Sequence, residues 1–344
     1  MKPIGNNKRK YTLLFFLLIL IISLTYYSIF NETNYRLLFE SIKSIKMRYM
    51  FLCLIIVFLY FIAQGIYMKI VLKILNKKIS LKKGTFYSMI EFYFSGITPS
   101  STGGQPIELY SMTKDDIPIR KSYITLLVNT IYFKLILLVL GLLSIVLKPQ
   151  YIFNYSSIYL AFFIVGFLVD IFMCVICFML IFKQKYVKNI LNWIIKVSSK
   201  TKLFREKVKK INVSEVLKDY REELVYIKNK KLLMFISFIV TFIQRILMFS
   251  VAYIIYRSLG FTKYNYIDLL MIQVSVQIAA EALPIPGGTG LSEKVYQTIF
   301  VTIFGVAFAD IGMILTRTFT FYIPILLTGF LVLITLFKKS KKNE

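Results

Sequence analysis

The stretch Glu281-Ala-Leu-Pro-Ile-Pro-Gly-Gly-Thr-Gly-Leu-Ser-Glu293 interrupts a long apolar region with two prolines, three glycines and a carboxylate at each end. Proline removes a backbone hydrogen-bond donor and glycine weakens a helix, so the stretch predicts a helix break. Lipid hydrocarbon offers no water to satisfy the freed backbone groups. At membrane depth such a break is tolerated only where protein surrounds it or where it lines a polar cavity. The stretch therefore predicts a polar cavity inside a membrane protein.

The composition of the whole chain is that of a membrane protein. Of its 344 residues, 57% are hydrophobic and 16% are aromatic, and the mean hydropathy is +0.68. Several apolar runs are long enough to span a bilayer as helices. We therefore predict an all-α polytopic membrane protein that forms a single integral membrane domain over residues 1–344.

Six apolar runs are predicted to be full transmembrane helices, and two further apolar regions are broken in the middle. The full spans are predicted at about residues 11–30, 50–72, 123–147, 158–182, 232–256 and 310–337. Regions 85–113 and 266–308 are predicted to form broken or re-entrant helical hairpins. The first lies in the first half of the membrane domain (11–182) and the second in the second half (232–337). A basic segment, 183–231, separates the two halves.

The basic residues determine the predicted topology. The net charge is +26, and most of the 43 lysine and arginine residues flank apolar spans. This distribution favours an anionic membrane surface over nucleic acid, and we expect no nucleic-acid partner. The positive-inside rule places both termini in the cytoplasm of a cell-membrane protein. Segment 183–231 combines an apolar stripe with flanking lysines and is predicted to bind the anionic inner leaflet.

The two broken regions have opposite predicted orientations. Region 85–113 begins and ends inside, whereas region 266–308 begins and ends outside. Each contains a proline, a Gly-Gly pair and a following glutamate, Glu108 in the first and Glu293 in the second. This pattern resembles the inverted repeats of transporters, whose broken helices meet near the midplane. The alternatives are a chance similarity between two loops and, for region 266–308, a pair of nearly complete crossings.

The backbone at the two breaks is predicted to bind an anion. The first break is Thr98-Pro-Ser-Ser-Thr-Gly-Gly-Gln-Pro106, in which Pro106 suits the first turn of a new helix. Helix N-termini after the Gly-Gly pairs direct free N–H groups and a positive dipole end into the membrane interior. A lipid phosphate is the most available anion there, and the alternative is a structural turn without a ligand. The motif positions are Pro99, Gly103, Gly104, Pro106, Pro284, Pro286, Gly287 and Gly288.

Ionisable side chains within the apolar regions are the second set of candidates, because burying them is costly without a cavity, partner or substrate. Arg245 and Arg317 are the leading contacts, since a planar guanidinium suits a phosphate. For each residue taken alone, a structural ion pair is an equally good explanation. The predicted headgroup-binding residues are Arg245, Arg317, Glu281, Glu293, Glu108, Gln105 and Lys134. Further charged residues in or near the bilayer are Glu91, Asp170 and Asp310.

The sequence offers little for enzyme chemistry. It contains no histidine, the commonest general base and metal ligand. Ser100, Ser101 and Ser292 lie near carboxylates but lack such a base, and no nucleotide-binding or metal motif is present. The three cysteines lie in apolar spans and are predicted to be packing residues. We therefore predict no catalytic residue, no metal and no cofactor.

At the two breaks the sequence resembles a known family. Thr98-Pro-x3-Gly-Gly-x-Pro106 together with Leu283-Pro-x-Pro-Gly-Gly-x-Gly-x2-Glu293 is similar to the membrane region of bacterial lysylphosphatidylglycerol synthases. This region is also called the flippase-like, or multiple peptide resistance factor, membrane domain. The resemblance covers essentially the whole chain and implies roles for the motif positions and Glu293. It implies translocation of lipids, typically aminoacylated phosphatidylglycerol, which lowers the negative charge of the outer surface and links the family to antibiotic resistance.

Three functions remain open at this point. Full-length synthases continue into a soluble domain that uses aminoacyl-tRNA, whereas this sequence ends at Lys341-Lys342-Asn343-Glu344, so we expect a stand-alone membrane region. The first function is a translocase for an anionic or aminoacylated phospholipid such as lysylphosphatidylglycerol. The second is a membrane transferase of the phosphatidylglycerol lysyltransferase type. The third is a transporter of polyprenyl-linked lipids, or a lipid-binding partner of a separate lipid-modifying enzyme.

Overall fold

The computed structural model describes residues 39–41, 43, 45–98, 103–154, 156–182, 188–189, 222–282 and 299–341. This part of the chain is almost entirely helical and contains no strand. The helices are α1 (Met47–Ile74), α2 (Leu81–Gly96), α3 (Gly104–Lys114), α4 (Ile119–Leu147), α5 (Gln150–Phe153), α6 (Ser157–Phe182), α7 (Lys231–Ser258), α8 (Tyr266–Glu281), α9 (Ala309–Arg317) and α10 (Ile323–Lys341). Residues 222–229 and 299–304 are also helical.

Five stretches among these helices are long and apolar enough to cross a membrane. They are Met47–Ile74, Ile119–Leu147, Ser157–Leu180, Lys231–Ser258 and Ala309–Val332. Each coincides with one of the predicted spans, so the prediction of an all-α polytopic membrane protein is confirmed. The remaining predicted span, 11–30, lies outside the described residues.

The last span differs from the prediction in its continuity. We predicted one uninterrupted helix over 310–337, but Thr318–Tyr322 is a π-helical stretch between α9 and α10. Pro324 follows it and has no N–H to donate to the carbonyl of Thr320, one turn earlier. The regular hydrogen-bond ladder is therefore interrupted at this point, and the helix widens locally.

Helices α2 and α3 lie on either side of the first predicted break and form a helical hairpin. Helix α2 ends at Gly96, and α3 begins at Gly104. At the opposite ends of the two helices, Lys83 Nζ lies 3.6 Å from Asp115 Oδ2. The Tyr87 hydroxyl donates a 2.9 Å hydrogen bond to the same carboxylate oxygen. The hairpin therefore begins and returns at one end of the bundle.

Helix α8 and the helical residues 299–304 flank the second predicted break. The Tyr264 hydroxyl, just before α8, donates to the carbonyl of Thr302 over 3.4 Å. The chain therefore returns to the end of the bundle at which α8 begins. The predicted motif positions that lie outside the described residues are Pro99, Pro284, Pro286, Gly287, Gly288 and Glu293.

These two regions begin and return at opposite ends of the helix bundle. Lys121, near the start of α4, donates through its ammonium to the carbonyl of Leu75, at the end of α1 and close to α2. Lys148, just after α4, lies 2.7 Å from Asp268 Oδ1 in the first turn of α8. Helix α4 has 29 residues and is therefore about 43 Å long. Helices α2 and α8 thus begin on opposite sides of the bundle.

Glycines at the helix crossings let the backbones approach closely. A Cβ atom at Gly84 of α2 would lie 2.6 Å from the carbonyl oxygen of Gly65 in α1. A Cβ atom at Gly166 of α6 would overlap the carbonyl of Ile278 in α8. Close packing of this kind favours helix association in lipid, where burial of apolar surface gives little driving force.

Candidate functional site

Four polar side chains lie halfway along four of the long helices. They are Tyr60 on α1, Lys134 on α4, Asp170 on α6 and Arg245 on α7. A charge at the middle of a membrane-spanning helix is costly unless it has a partner or faces a cavity. The four side chains together define a polar layer across the centre of the bundle.

One group in this layer is an ion cluster, here called the Lys134 triad (Lys134, Asp170 and Glu281). The Lys134 ammonium lies 2.6 Å from Asp170 Oδ1 and also contacts Glu281 Oε2. Asp170 is fully buried, and the side chains of Lys134 and Glu281 are 11% and 14% exposed. The triad joins α4, α6 and α8 through one cation. Such a pairing offsets the cost of burying charge, and removing one partner would leave the others uncompensated.

Close packing of α8 explains how Glu281 reaches this cluster. Ile278 packs against Gly166 of α6 and Gly141 of α4, where a Cβ atom at Gly141 would lie 2.7 Å from Ile278 Cδ1. Glu281 follows almost one turn later as the last residue of α8. Gln277 Nε2 donates to its second oxygen, Oε1, over 3.3 Å. Glycine on two neighbouring helices therefore brings this carboxylate to the ammonium.

A second group in the polar layer is the Arg245 group (Arg245, Tyr60 and Phe133). The guanidinium carbon of Arg245 lies 4.0 Å from the centre of the Phe133 ring and 5.8 Å from that of Tyr60. Arg245 Nη1 donates to the Tyr60 hydroxyl over a long 3.4 Å. Its Nε has no hydrogen-bond partner among the described residues. Aromatic faces attract a cation without using its hydrogen-bond donors.

Two carboxylates of the α2–α3 hairpin lie close to the Arg245 group. Ser95 Oγ donates to Glu91 Oε1 over 2.9 Å, and Glu91 is within electrostatic range of Arg245. Glu108 is 1% exposed. Within the described part of the chain, neither Glu108 carboxylate oxygen has a hydrogen-bond partner. Because an unpaired buried carboxylate is costly, Glu108 is well suited to bind a cationic group.

The start of α3 contains three of the predicted motif residues, Gly103, Gly104 and Pro106. Pro106 lies in the first turn of the helix, as predicted. The N–H of Gly103 donates to Thr98 Oγ1 over 2.9 Å, so the turn itself satisfies one of the groups that we predicted to be free. A Cβ atom at Gly104 would lie 2.5 Å from the Glu91 carbonyl oxygen. Glycine is therefore needed for α3 to approach α2.

Gln105 and Arg317, also predicted to bind a headgroup, lie in different surroundings. Gln105 is exposed, and its Nε2 donates to Thr130 Oγ1 of α4 over 2.8 Å. Arg317 is 8% exposed, and its guanidinium carbon lies 4.9 Å from the centre of the Phe321 ring. Phe321 belongs to the same buried cluster as Ile90 of α2. Arg317 is thus placed beside the first hairpin, on an aromatic ring as Arg245 is.

The structure joins some of the predicted residues and adds others. Lys134 and Glu281 are in direct contact, and Phe133 links Lys134 along the chain to the guanidinium of Arg245. Asp170 completes the triad, although the sequence analysis gave it no binding role. Its charge within an apolar span was the signal that could have identified it.

Tyr60 and Phe133 could not have been found from the sequence. Aromatic residues make up 16% of the chain, and helical spacing does not distinguish a ring under a guanidinium from a packing residue. Only the crossing of α1, α4 and α7 places these two rings against one arginine.

The polar cavity between the two breaks stays a prediction, because its expected lining includes 99–102 and 283–298, outside the described residues. A shallow depression on the described surface is lined in part by Lys69, Lys73 and Leu233. It lies toward the end of α1 and away from the buried charges, so it is not the predicted cavity.

One known family matches this chain over most of its length. The sequence model of one family, described as the lysylphosphatidylglycerol synthase TM region, matches residues 12–328. A UPF0104 membrane protein of Pyrococcus horikoshii is 27% identical over 158 residues, which cover 44% of this chain and 46% of that relative. The match thus spans less than half the length of the relative. No solved structure matches the chain at a significant level.

Proposed function

Because this chain belongs to the family of lysylphosphatidylglycerol synthase transmembrane regions, we propose that it is a lipid translocase. It moves an anionic or aminoacylated phospholipid, such as lysylphosphatidylglycerol, between the leaflets of the cell membrane. The headgroup crosses through the polar layer at the centre of the bundle while the acyl chains remain in lipid. Both termini lie in the cytoplasm.

The observation that carries this proposal is the state of Arg245. Its guanidinium lies halfway along an apolar helix and rests on two aromatic rings. No carboxylate among the described residues lies within salt-bridge distance of it. A planar guanidinium with open donors binds a phosphate through two parallel hydrogen bonds. An anionic headgroup at mid-membrane depth would supply the counter-charge that this arginine needs.

The carboxylates of the first hairpin favour a headgroup that also carries an amine. Glu108 is buried without a partner in the described part of the chain, and Glu91 is close enough to interact with Arg245. A lysyl ester presents ammonium groups a few bonds away from the phosphate. In the proposal the phosphate binds Arg245 while an ammonium binds Glu108. Arg317, beside the first hairpin, is the second predicted contact for the phosphate.

The two interrupted regions supply the entry paths. Hairpin α2–α3 enters the membrane from the cytoplasmic side and the region around 283–298 enters from the outside, as two re-entrant hairpins related like an inverted repeat. Their opposite starting points support this arrangement. The glycines and prolines of both motifs keep the backbone open next to the headgroup. The Lys134 triad lies where α8 leads into the second of these motifs.

The proposal is tested by lipid movement in vesicles. The purified protein is reconstituted with headgroup-labelled phosphatidylglycerol, and separately with lysylphosphatidylglycerol, and the fraction of lipid reaching the other leaflet is measured against time. We expect wild-type protein to accelerate movement and Arg245→Ala to lower the rate at least several-fold. The matched control is Arg257→Ala, which removes an exposed arginine in the last turn of the same helix.

The outcomes separate the three functions. Equal rates in protein-containing and empty vesicles would reject the translocase. Intact lipid bound to the purified protein without movement would favour a lipid-binding partner of another enzyme. A new lipid species detected by mass spectrometry would favour a transferase. Movement of a polyprenyl phosphate, without movement of either phospholipid, would favour a transporter of polyprenyl-linked lipids.

A further inference from the structure

The Lys134 triad contains one more carboxylate than it contains cations. With all three groups ionised, one negative charge remains in excess at the centre of an apolar bundle. Asp170 is fully buried, and its Oδ2 has no hydrogen-bond partner among the described residues. An uncompensated negative charge in such surroundings is costly, and one added proton removes it.

The position of Glu281 leaves Lys134 as the cation that both carboxylates share. Glu281 is the last residue of α8, where the backbone carbonyls give the helix dipole its negative end. This dipole adds negative potential beside the triad and does not offset its excess charge.

Among the described residues, no further charged group lies within salt-bridge distance of the triad. On α7, the guanidinium carbon of Arg245 lies 4.0 Å from the centre of the Phe133 ring, and the Lys134 ammonium lies 5.4 Å from the same ring centre. Arg245 forms no ion pair with either carboxylate of the triad. On α6, Cys174 and Cys177 lie within electrostatic range of the triad, and both are thiols in an apolar environment. Helix α5 packs at the far end of α8, where Lys148 pairs with Asp268.

We propose that the Lys134 triad is a proton-binding site and that its proton is the coupling ion for lipid movement. The coupling, though not the proton binding, rests on the proposed translocase function. The proton comes from water, forms an O–H bond with a carboxylate oxygen of Asp170 or Glu281, and returns to water on release. No group is oxidised or reduced in this cycle.

The placement of the triad indicates how a proton acts on the end of α8. Helix α8 ends at Glu281, and the chain continues into 283–298. With the proton on Asp170, the ammonium holds the Glu281 carboxylate and fixes the end of α8. With the proton on Glu281, the ammonium pairs with Asp170 alone and the end of α8 is released. Protonation therefore sets how firmly the end of α8 is attached to α4 and α6.

Proton binding is measured first, on the purified full chain and without lipid transport. Infrared difference spectra are recorded across a pH series, and the carbonyl stretching band of a protonated carboxyl group is followed. We expect a band in the wild type that is lost in both Asp170→Asn and Glu281→Gln but kept in Glu108→Gln, which removes another buried carboxyl group outside the triad. The matched control is Glu222→Gln, which removes an exposed carboxylate outside the triad.

Folding is checked for every variant by size-exclusion chromatography. Asp170→Glu provides a variant that keeps a carboxyl group at the same position, and we expect it to retain the band at a shifted pH. The absence of a band in the wild type would overturn the proton site. Spectra of Asp170→Asn and Glu281→Gln that keep every carboxyl band of the wild type would overturn it as well.

Coupling is measured second, in vesicles with a pH difference across the membrane. If one proton moves with each lipid, the lipid ratio between the leaflets shifts by about tenfold for each pH unit imposed, because one unit corresponds to about 1.4 kcal/mol. We expect this shift in the wild type and none in Asp170→Asn. The proton would be overturned as the coupling ion if the lipid ratio between the leaflets of wild-type vesicles did not change with the pH difference but changed with a sodium gradient.

The two measurements distinguish the failure of this proposal from that of the translocase. If the reconstituted protein moves no lipid under any gradient, both the translocase function and the proton coupling are rejected. The infrared band would still decide whether the triad binds a proton.

Discussion

The Lys134 triad and the Arg245 group lie at the same level of the bundle, but their cations have different contact partners. In the triad, two carboxylates share the ammonium at close range. In the Arg245 group, the guanidinium rests on Phe133 and Tyr60, with Nε unpartnered among the described residues. The first arrangement pairs a cation with carboxylates of the protein, and the second leaves a cation without a carboxylate partner among the described residues. The difference favours helix attachment as the role of the triad and supports the proposed ligand binding by the Arg245 group.

The largest effect that would test this comparison is expected at Lys134. Lys134→Met leaves two carboxylates buried without a cation, and removing one partner of a buried ion pair costs about 3–5 kcal/mol. The measurement is thermal unfolding in detergent, with Lys69→Met as the control because Lys69 is exposed on α1. Restored stability in Lys134→Met combined with Asp170→Asn would confirm the electrostatic origin. Equal stability of Lys134→Met and the control would contradict the role of the triad.

The next effect concerns the packing that brings Glu281 to the ammonium. In Gly166→Ala the new Cβ atom would meet the backbone carbonyl of Ile278, which cannot rotate away. Overpacking of this kind costs about 1–3 kcal/mol. Gly141→Ala meets the flexible Cδ1 end of the same residue and is expected to cost less. Unfolding midpoints of the two variants give the order, and the reverse order would contradict this account of the α6–α8 contact.

A smaller effect on stability is expected for Arg245. Arg245→Ala removes cation–π contacts with Phe133 and Tyr60, which are worth about 0.5–2 kcal/mol. Its distinguishing effect is on ligand response. Phosphatidylglycerol added to the detergent solution should raise the unfolding temperature of the wild type and of Lys134→Met more than that of Arg245→Ala. Equal rises in unfolding temperature in all three proteins would contradict the proposal that Arg245 binds the anion and Lys134 does not.

The smallest effects are expected at the ends of the two interrupted regions. Lys83 is half exposed in its pair with Asp115, and its removal in Lys83→Ala should cost about 0.2–1 kcal/mol. Lys148→Ala should cost more, because Lys148 pairs with the buried Asp268 at 2.7 Å. Added salt should reduce the difference in unfolding free energy between the wild type and Lys83→Ala, since exposed charges are screened. An equal loss of unfolding free energy in Lys83→Ala and Lys148→Ala would show that burial does not make the second ion pair stronger than the first.

Much of the fold could be predicted from the sequence because hydropathy is a local property. Apolar runs of sufficient length gave five of the spans to within a few residues, and the glycine and proline pattern located the end of α2 and the start of α3. The π-helical stretch was not predicted, because hydropathy indicates the length of an apolar run and not the hydrogen-bond pattern inside it.

The candidate site was predicted less completely than the fold. Lys134, Glu281 and Arg245 were identified because a charge in an apolar span is rare and costly. Their partners were not, since Asp170, Tyr60 and Phe133 come from other helices, and the contacts depend on which helix faces cross. The glycines that set those crossings, such as Gly166, carry no signal of their own in the sequence.

The sequence by itself determined that this chain is a helical membrane protein of a particular family with charges inside its spans, because composition, hydropathy and motif spacing do not depend on how the helices pack. Only the tertiary structure decided which charges meet. It placed Lys134 between two carboxylates and Arg245 on two aromatic rings, since ion pairing and cation–π contact act over a few ångströms and require helices distant in sequence to be side by side.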